Sequence, residues 1–424
     1  MQPLSIDQQT NTPLPARRLR GRSTACFACV VLSTALLVIV ARGSFHLSIT
    51  NLVTTLGSKN GGGTQKIQPV CVDGSTATRT SPDEIAMNRA AKGFRKQLIP
   101  GIASSGFFWD DGDSATRKWR PQGVTTVKSS AGRRYLAVSW YGRRDEGYAA
   151  RGARVSVVEM GSDGDGEFQN KTFPYRHTLL VDKEFCTLPN IHAGGIEYWN
   201  GSLHVVDSRR SRFSIISFSL NEVYELGPNL SNAMFGYRYV LRGSSVHPLS
   251  VKPSFVSFDR DLSLFVVGTY NRCGPKMGVH TDSKKCMQAK NELAWFDLKQ
   301  SENVPENVDP CGGQWPEMQG ATSVRFQNRT LVLTSSSYGA IAPSHLHLLE
   351  TSADLGNGEC PSQDRAKRQI TFRLPPGLED LHTERIASNG RSSLVWSLTE
   401  FGTRMVLSFS LSDIVDAMDE SSSL

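Results

Sequence analysis

The sequence predicts an all-β fold: a β-propeller of five blades, with six as the alternative count, each of three to four antiparallel strands. An N-terminal transmembrane helix and a short helix are expected ahead of it. Two observations carry this. The run LHVVDSR from Leu203 has counterparts in LAVSWYG from Leu136, LFVVGTY from Leu264, LVLTSSS from Leu331 and LVWSLTE from Leu394, so the leucines recur at intervals of 67, 61, 67 and 63 residues. Each copy also has a partner upstream: GVTTV from Gly123, GGIEYW from Gly194, PSFVSF from Pro253, GATSVRF from Gly320 and a degraded EDLHTERIAS from Glu379. Short β-branched runs divided by turn residues and repeated at a fixed period are the pattern of propeller blades.

Within a repeat, tight turns such as Trp199-Asn200-Gly201, Asp259-Arg260-Asp261 and Gln327-Asn328-Arg329 join the first two strands. Third strands follow at 154–160, 213–220, 292–298 and 345–350, and fourth strands at 175–181 and 237–243. A single such sheet cannot cover both of its faces; blades set round an axis cover one another, and closure leaves only short edges. The last copy ends at RMVLSFSL with no fourth strand of its own, so residues 94–110 are expected to complete it.

The first 42 residues stand apart. Arg17, Arg18, Arg20 and Arg22 precede ACFACVVLSTALLVIVA, an uncharged run from Ala25 to Ala41. Its length as a helix, about 25 Å, suits a thin early-secretory bilayer. The arginines before it and the absence of a small-x-small cleavage site after it favour an uncleaved type II anchor over a removed signal peptide. The expected order is a basic cytoplasmic tail over 1–24, the span over 25–42, a flexible stem over 43–80 containing GSKNGGGTQ, a helix and lead-in over 81–106, the propeller over 107–415 and a tail over 416–424. The helix is expected at about 82–92, from Ser81 as N-cap, Pro82 at the first helical position and Glu84 completing a capping box.

The chain's net charge of +7 belongs mostly to that anchor. Its 42 residues hold five arginines and one aspartate, which leaves 42 basic against 39 acidic residues, or +3, and no case for a nucleic-acid partner. Cys26 and Cys29 lie in the span; the other six cysteines would face an oxidising lumen. Nearest-neighbour closure joins Cys273 to Cys286 and Cys311 to Cys360 and leaves Cys71 with Cys186, among 15 connectivities open to six cysteines. Sequons at Asn170, Asn200, Asn229 and Asn328 permit glycosylation.

The strings WRPQG, VSWYG, HAGG, LHVVDS, LED and LVWSLTE, in that order over residues 107–410, resemble a family of secreted β-propeller proteins known mainly from uncharacterised bacterial reading frames. That resemblance implies the fold and brings no assigned activity. The spaced Gly, Leu, Val and Asp of the second repeat are also similar, at the level of architecture, to NHL, gluconolactonase and strictosidine-synthase-like propellers.

In a propeller, the starts of the innermost strands and the loops after the second strands converge round one mouth of the channel. Here those places hold Gln122, His192, Ser254, Gln319 and Glu379, with Asp380 beside the last, and then Tyr141 with Arg143 and Arg144, Asp207 with Arg209, Tyr270 with Asn271, Tyr338 and Glu400. Polar groups from five blades aimed at one cavity suit a small-molecule, glycan or peptide ligand, and equally suit holding water and capping strand ends. An enzyme would use Glu379 or Glu400 as acid or base with His192 nearby, as a lactonase or esterase or as a strictosidine-synthase-like catalyst. The ring is a poor calcium cage, since calcium takes six to eight oxygens. The run Asp110-Asp111-Gly112-Asp113 could bind calcium but lacks the EF-hand's closing glutamate, and a solvated turn is the expected reading. His345 and His347 share a strand face, too few ligands for zinc without a third. The expected function is therefore a membrane-anchored lumenal or extracellular binding or interaction module, with a channel-mouth enzyme as the alternative.

Overall fold

The computed structural model describes residues 67–161, 168–209, 213–271, 291–297, 317–353, 355, 359, 361, 366–386 and 393–421. The expected anchor and most of the stem lie outside this set, as do Cys26, Cys29, Cys273, Cys286, Cys311 and Cys360. Among the described residues no helix is long and apolar enough to cross a membrane.

The lead-in departs from expectation at once. The short strand β1 (Thr78–Thr80) is followed by a single 3-10 turn, Pro82–Glu84, and then by two long strands, β2 (Arg89–Ile99) and β3 (Ile102–Phe108), where a helix was expected over 82–92. The capping chemistry is real: the Glu84 carboxylate accepts from the Ser81 N–H at 2.9 Å. It closes one turn only, because the next residues find tertiary partners. β2 pairs with β3 and buries Ala91, Phe94 and Ile99, which overrides the helix propensity of its alanines and lysines.

Beyond it, the described strands form five antiparallel groups. The first is β4 (Trp119–Lys128), β5 (Arg134–Gly142), β6 (Ala153–Glu159) and β7 (Thr172–Val181). The second is β8 (Ile196–Trp199), β9 (Ser202–Asp207), β10 (Ser214–Glu225) and β11 (Tyr239–Pro248). Of the third, β12 (Phe255–Asp259), β13 (Leu264–Gly268) and β14 (Leu293–Phe296) are described. The fourth is β15 (Met318–Phe326), β16 (Arg329–Ser336), β17 (Ser344–Thr351) and β18 (Ala366–Leu374), the last of these a strand the sequence reading did not mark. In the fifth, β19 (His382–Arg385), β20 (Ser393–Leu398) and β21 (Met405–Ser410) are followed by β3, which pairs with β21 as the expectation for residues 94–110 required. The five repeated leucines all fall on second strands: β5, β9, β13, β16 and β20.

The first strands of the groups touch in a cycle, β4 to β8 to β12 to β15 to β19 and back to β4, so the arrangement is propeller-like and nearly closed. Apolar clusters lie between successive groups. Tyr135 and Val155 meet Leu203 and Phe218; Val206 and Ile215 meet Val256 and Phe265; Val266 and Trp295 meet Met318 and Leu349. Leu333 and Leu348 meet Val395 and Leu407, and Trp396 and Val406 meet Val138 and Trp140. Each sheet thus buries both faces only because it has a neighbour on each side, at roughly 1.5–3 kcal/mol per large apolar side chain removed from water. Residues 416–421, expected as part of a tail, belong to a helix, Leu411–Ser421, that sinks Leu411, Ile414, Val415 and Met418 into the cluster joining the fourth and fifth groups.

Two local signals in the sequence set this geometry. At Asn200-Gly201 (φ 47° and 75°) and at Gln327-Asn328 (φ 50° and 63°), both central residues of a two-residue hairpin are left-handed, matching the strand twist. The glycine that opens an inner strand lets the next group's backbone approach: a Cβ on Gly195 would lie 2.4 Å from the Val256 nitrogen, and one on Gly320 would lie 2.6 Å from the Leu381 nitrogen. Gly195→Ala is expected to destabilise by about 1–3 kcal/mol, the usual cost of overpacking. Thermal unfolding checks this, and an unchanged transition would refute the close approach.

The expected disulfide Cys71–Cys186 is present. It ties the segment before β1 to the connection after β7, beside the Thr187 N–H donating to the Val70 carbonyl at 2.8 Å. All four sequon asparagines are exposed.

Candidate functional site

Two backbone hydrogen bonds set the geometry of the carboxyl pair. The Glu379 N–H donates to the Leu398 carbonyl at 3.0 Å and the Glu400 N–H to the Gly377 carbonyl at 2.8 Å, which brings the residues before β19 and after β20 side by side. Glu379 is 2% exposed and Glu400 8%. Burial, then the Glu400 charge and its hydrogen bond, push the Glu379 carboxyl well above the usual range. Burial raises Glu400 as well, but the Arg120 guanidinium and the Tyr141 hydroxyl work against it. Tyr141 donates to Glu400 Oε1 at 3.3 Å, and Arg120 Nε lies 3.8 Å from the same oxygen. Of the two, Glu379 is the one pushed further toward the protonated form, because Glu400 alone has a guanidinium and a hydroxyl beside it. Glu379 Oε1 has no hydrogen-bond partner among the described residues.

His192 reaches this group through Tyr141, their ring centroids 4.5 Å apart. Burial and Lys252 lower its pKa to about 4, so the imidazole is neutral at pH 7. The structure thus gathers four of the expected residues, Glu379, Glu400, Tyr141 and His192, and adds Arg120 and Arg404. Arg404 donates to the Glu400 carbonyl at 3.1 Å. Arg120 belongs to the WRPQG string and was within reach of the sequence; Arg404 carries no local signal.

The remaining candidates separate. Asp380 is fully buried and accepts from the Ile196 N–H at 3.2 Å and its neighbour Leu381 at 3.0 Å, pinning the fifth inner strand to the second. Burial raises its pKa well above the usual carboxylate range. Gln122, also buried, accepts from the Asp380 N–H at 3.4 Å. Beside them runs a polar chain missed by the sequence reading: Glu197 Oε2 lies 3.0 Å from His382 Nδ1, Thr125 donates to Glu197 at 3.1 Å, and Thr126 meets His382 Nε2 at 2.8 Å. These groups hold the first, second and fifth inner strands together. Ser254 and Gln319 are half-buried where their strands open, and Tyr270 and Tyr338 are half-buried after β13 and β16. Asn271 donates from its backbone to Asn291 Oδ1 at 2.8 Å. Arg143 is engaged with exposed Asp145 at 2.9 Å.

Asp207 and Arg209 lie elsewhere, in an open groove of about 1210 Å3. Asp207 is 1% exposed and accepts from Arg209 Nε at 2.8 Å. Arg144, Asp182 and Glu184 share the groove, and Ile67, Gln68 and Pro69 form part of its wall.

The acidic run is neither a solvated turn nor an open cation site. Asp110 caps a short helix (Asp111–Ala115) and pairs with Arg89 at 2.7 Å. Asp113 is 3% exposed and accepts from Arg154, Tyr175 and His177, each at 2.7 Å. Burial alone would raise its pKa, but the His177 hydrogen bond and the Arg154 charge hold it far below the usual carboxylate range. Asp111 is exposed. Among the described residues no three His, Cys, Asp or Glu side chains are grouped to hold a metal. His345 and His347 stack at 5.9 Å, and His347 hydrogen-bonds Ser336 and Thr371 at 2.9 Å.

No protein-family model matches the chain, so the likeness to NHL, gluconolactonase and strictosidine-synthase-like propellers has no support from that comparison. No curated protein matches it by sequence. Among solved structures it is similar to a hypothetical protein from Leishmania major (11% identity, TM-score 0.34, 70% of this chain and 86% of that one). It is also similar to Trypanosoma rangeli sialidase in complex with the inhibitor DANA (8%, 0.34, 83% and 61%) and Kuenenia stuttgartiensis hydrazine synthase (10%, 0.29, 67% and 78%).

Proposed function

We propose that the chain is a five-bladed β-propeller, held to a secretory-pathway membrane by the apolar run 25–41, that serves as a ligand-binding or protein-interaction module. The observation that supports binding is the contrast between two sites. The groove beside the second strands of the first two groups is open and about 1210 Å3 in volume, and it mixes Arg144, Lys183 and Arg209 with Asp182, Glu184 and Asp207. Such a surface suits a glycan or peptide that offers donors and acceptors of both signs. The carboxyl pair, by contrast, is buried at 2% and 8% exposure, which puts it out of a substrate's reach.

A second reading keeps the pair as chemistry: a lactonase or esterase, or a strictosidine-synthase-like catalyst, with Glu379 as the acid, Glu400 as the base and His192 beyond Tyr141. It is favoured by one specific observation, two carboxyl groups buried side by side with the pKa of Glu379 pushed well above the usual range. Screening the full chain against glycan and peptide libraries, with Arg144→Glu and Glu379→Gln alongside, separates the two. A ligand weakened at least tenfold by Arg144→Glu and untouched by Glu379→Gln is the expected result. Turnover of an ester or lactone that Glu379→Gln abolishes would overturn it in favour of the enzyme.

Glu379→Gln has a second readout. A raised carboxyl pKa in the folded state contributes stability below the unfolded value near 4.5 and loses it as pH rises toward the folded value. Glutamine keeps the hydrogen bond to Glu400 without a titration, so the variant should match the parent near pH 4 and exceed it at pH 8. Each pKa unit removed is worth about 1.4 kcal/mol. Thermal unfolding at the two pH values checks this, and equal shifts at both would contradict the protonated pair.

A further inference from the structure

A second cleft, of about 330 Å3, lies where the first and second groups meet the lead-in. Six cations line it, Arg89, Lys118, Arg151, Arg154, Arg176 and Arg238, against one carboxylate, Asp113. Asp113 is already engaged by Arg154, Tyr175 and His177, and Asp110 and Glu225 answer only Arg89 and Arg238. Lys118, Arg151 and Arg176 form no ion pair with a carboxylate among the described residues. Burial, and after it the charges of Arg238 and Arg89, lower the pKa of Arg176. Repulsion of that kind is relieved by an anion bound among the guanidinium groups.

The cations are also held in place. The Arg151 guanidinium sits 3.9 Å from the Tyr148 ring centroid and 4.6 Å from that of Phe235, and the Lys118 ammonium is 5.1 Å from Tyr148. Arg154 is 4.7 Å from both Trp119 and Trp140. It is 5% exposed, and its Nε is buried without a hydrogen-bond partner among the described residues. Arg154 gives one N–H to Asp113 and Arg176 gives one to the Ala86 carbonyl at 3.2 Å; ring stacking leaves the guanidinium edge of Arg151 to face a planar or tetrahedral oxyanion, and donors already oriented lose little entropy on binding. The volume is roughly that of ten waters at about 30 Å3 each, more than a bare tetrahedral ion fills. The walls offer aromatic surface as well as charge.

We propose that this cleft binds a compact organic ester of phosphate or sulfate, the oxyanion among Arg151, Arg154 and Arg176 and the organic body against Tyr148 and Phe235. Binding is independent of the groove and of the carboxyl pair. The test is isothermal titration of the full chain, at fixed ionic strength, with inorganic phosphate, inorganic sulfate, glucose 6-phosphate and glucose 6-sulfate. The expected result is saturable binding of at least one ester, at least tenfold tighter than its inorganic ion, with the preferred ester identifying phosphate or sulfate as the group taken. Arg151→Gln and Lys118→Gln, neither of which leaves a carboxylate unpaired, should each weaken it severalfold or more, while Lys92→Gln, at an exposed position of β2, should not. Absence of saturable binding by both esters, binding no tighter than that of the inorganic ions, or binding indifferent to both cleft variants would overturn the proposal.

Discussion

Replacing Asp113 with alanine should cost the fold about 3–5 kcal/mol, the range for removing one partner of a buried ion pair. The reason is what remains. Arg154, its side chain 6% exposed, is held between two tryptophans and would keep its charge with no anion beside it. Tyr175 and His177 would lose their acceptor, and Arg404, which donates to the Asp113 carbonyl at 2.9 Å, would stand in a more positive field. Asp113→Asn should fall between, since it keeps an acceptor but not the charge. The pH dependence has a definite sign. A depressed carboxylate pKa contributes stability above the unfolded value of 3.8, lost as pH falls through the folded value. His177, lowered to about 4 by burial, instead makes the unfolded state the better proton binder between pH 6.5 and 4, so stability already declines over that window. Urea unfolding at pH 7 reads the effect. A change below about 0.5 kcal/mol, the scale of ordinary surface substitutions, would remove Asp113 from the centre of this cluster.

The second large effect concerns the disulfide. Cys71 and Cys186 are 115 residues apart, and in the chain-entropy account a crosslink closing a loop of that size restricts the unfolded chain by close to 5 kcal/mol. Measured values fall short of that limit, so Cys71→Ser with Cys186→Ser should lower stability by about 3–4 kcal/mol. The segment around Cys71 would then be held by the hydrogen bonds of Val70 and Val72 with Thr187 and Phe185 and by the pairing of β1 with the third strand of the second group. Urea unfolding of the double variant checks the magnitude, and a loss under about 1 kcal/mol would mean that the segment is fastened by packing alone.

Much of the fold was legible because it repeats. Period-2 runs that end in turns pointed to the strands, and the spacing of five leucines pointed to their grouping. What misled was local: Ser81-Pro82-Asp83-Glu84 is a genuine helix start, and only the pairing of β2 with β3 and β7, invisible to propensity, stops it after one turn. The C-terminal helix was overlooked because the apolar spacing of Leu411, Ile414, Val415 and Met418 was passed over once the strand period had ended. The site was half legible. Positions before first strands and after second strands brought Glu379, Glu400, Tyr141 and His192 together, because strand ends in a ring converge. The same rule did not separate groups that bind from groups that hold the ring, such as Asp380 and Gln122. Asp113 was misjudged because an acidic run with a glycine resembles a turn until arginines from distant strands, Arg89 and Arg154, arrive beside it.

The central claim is that the strand groups form a nearly closed ring and that β3, from the lead-in, supplies the last strand. Hydrogen exchange followed by mass spectrometry on the full chain tests it most directly, because β3 and β21 are some 300 residues apart and share protection only if they pair. The account predicts that amides of Ile102–Phe108 and Met405–Ser410 exchange as slowly as those of β5, and lose protection together with them in mild denaturant. Fast exchange of Ile102–Phe108 beside a protected β5 would contradict it.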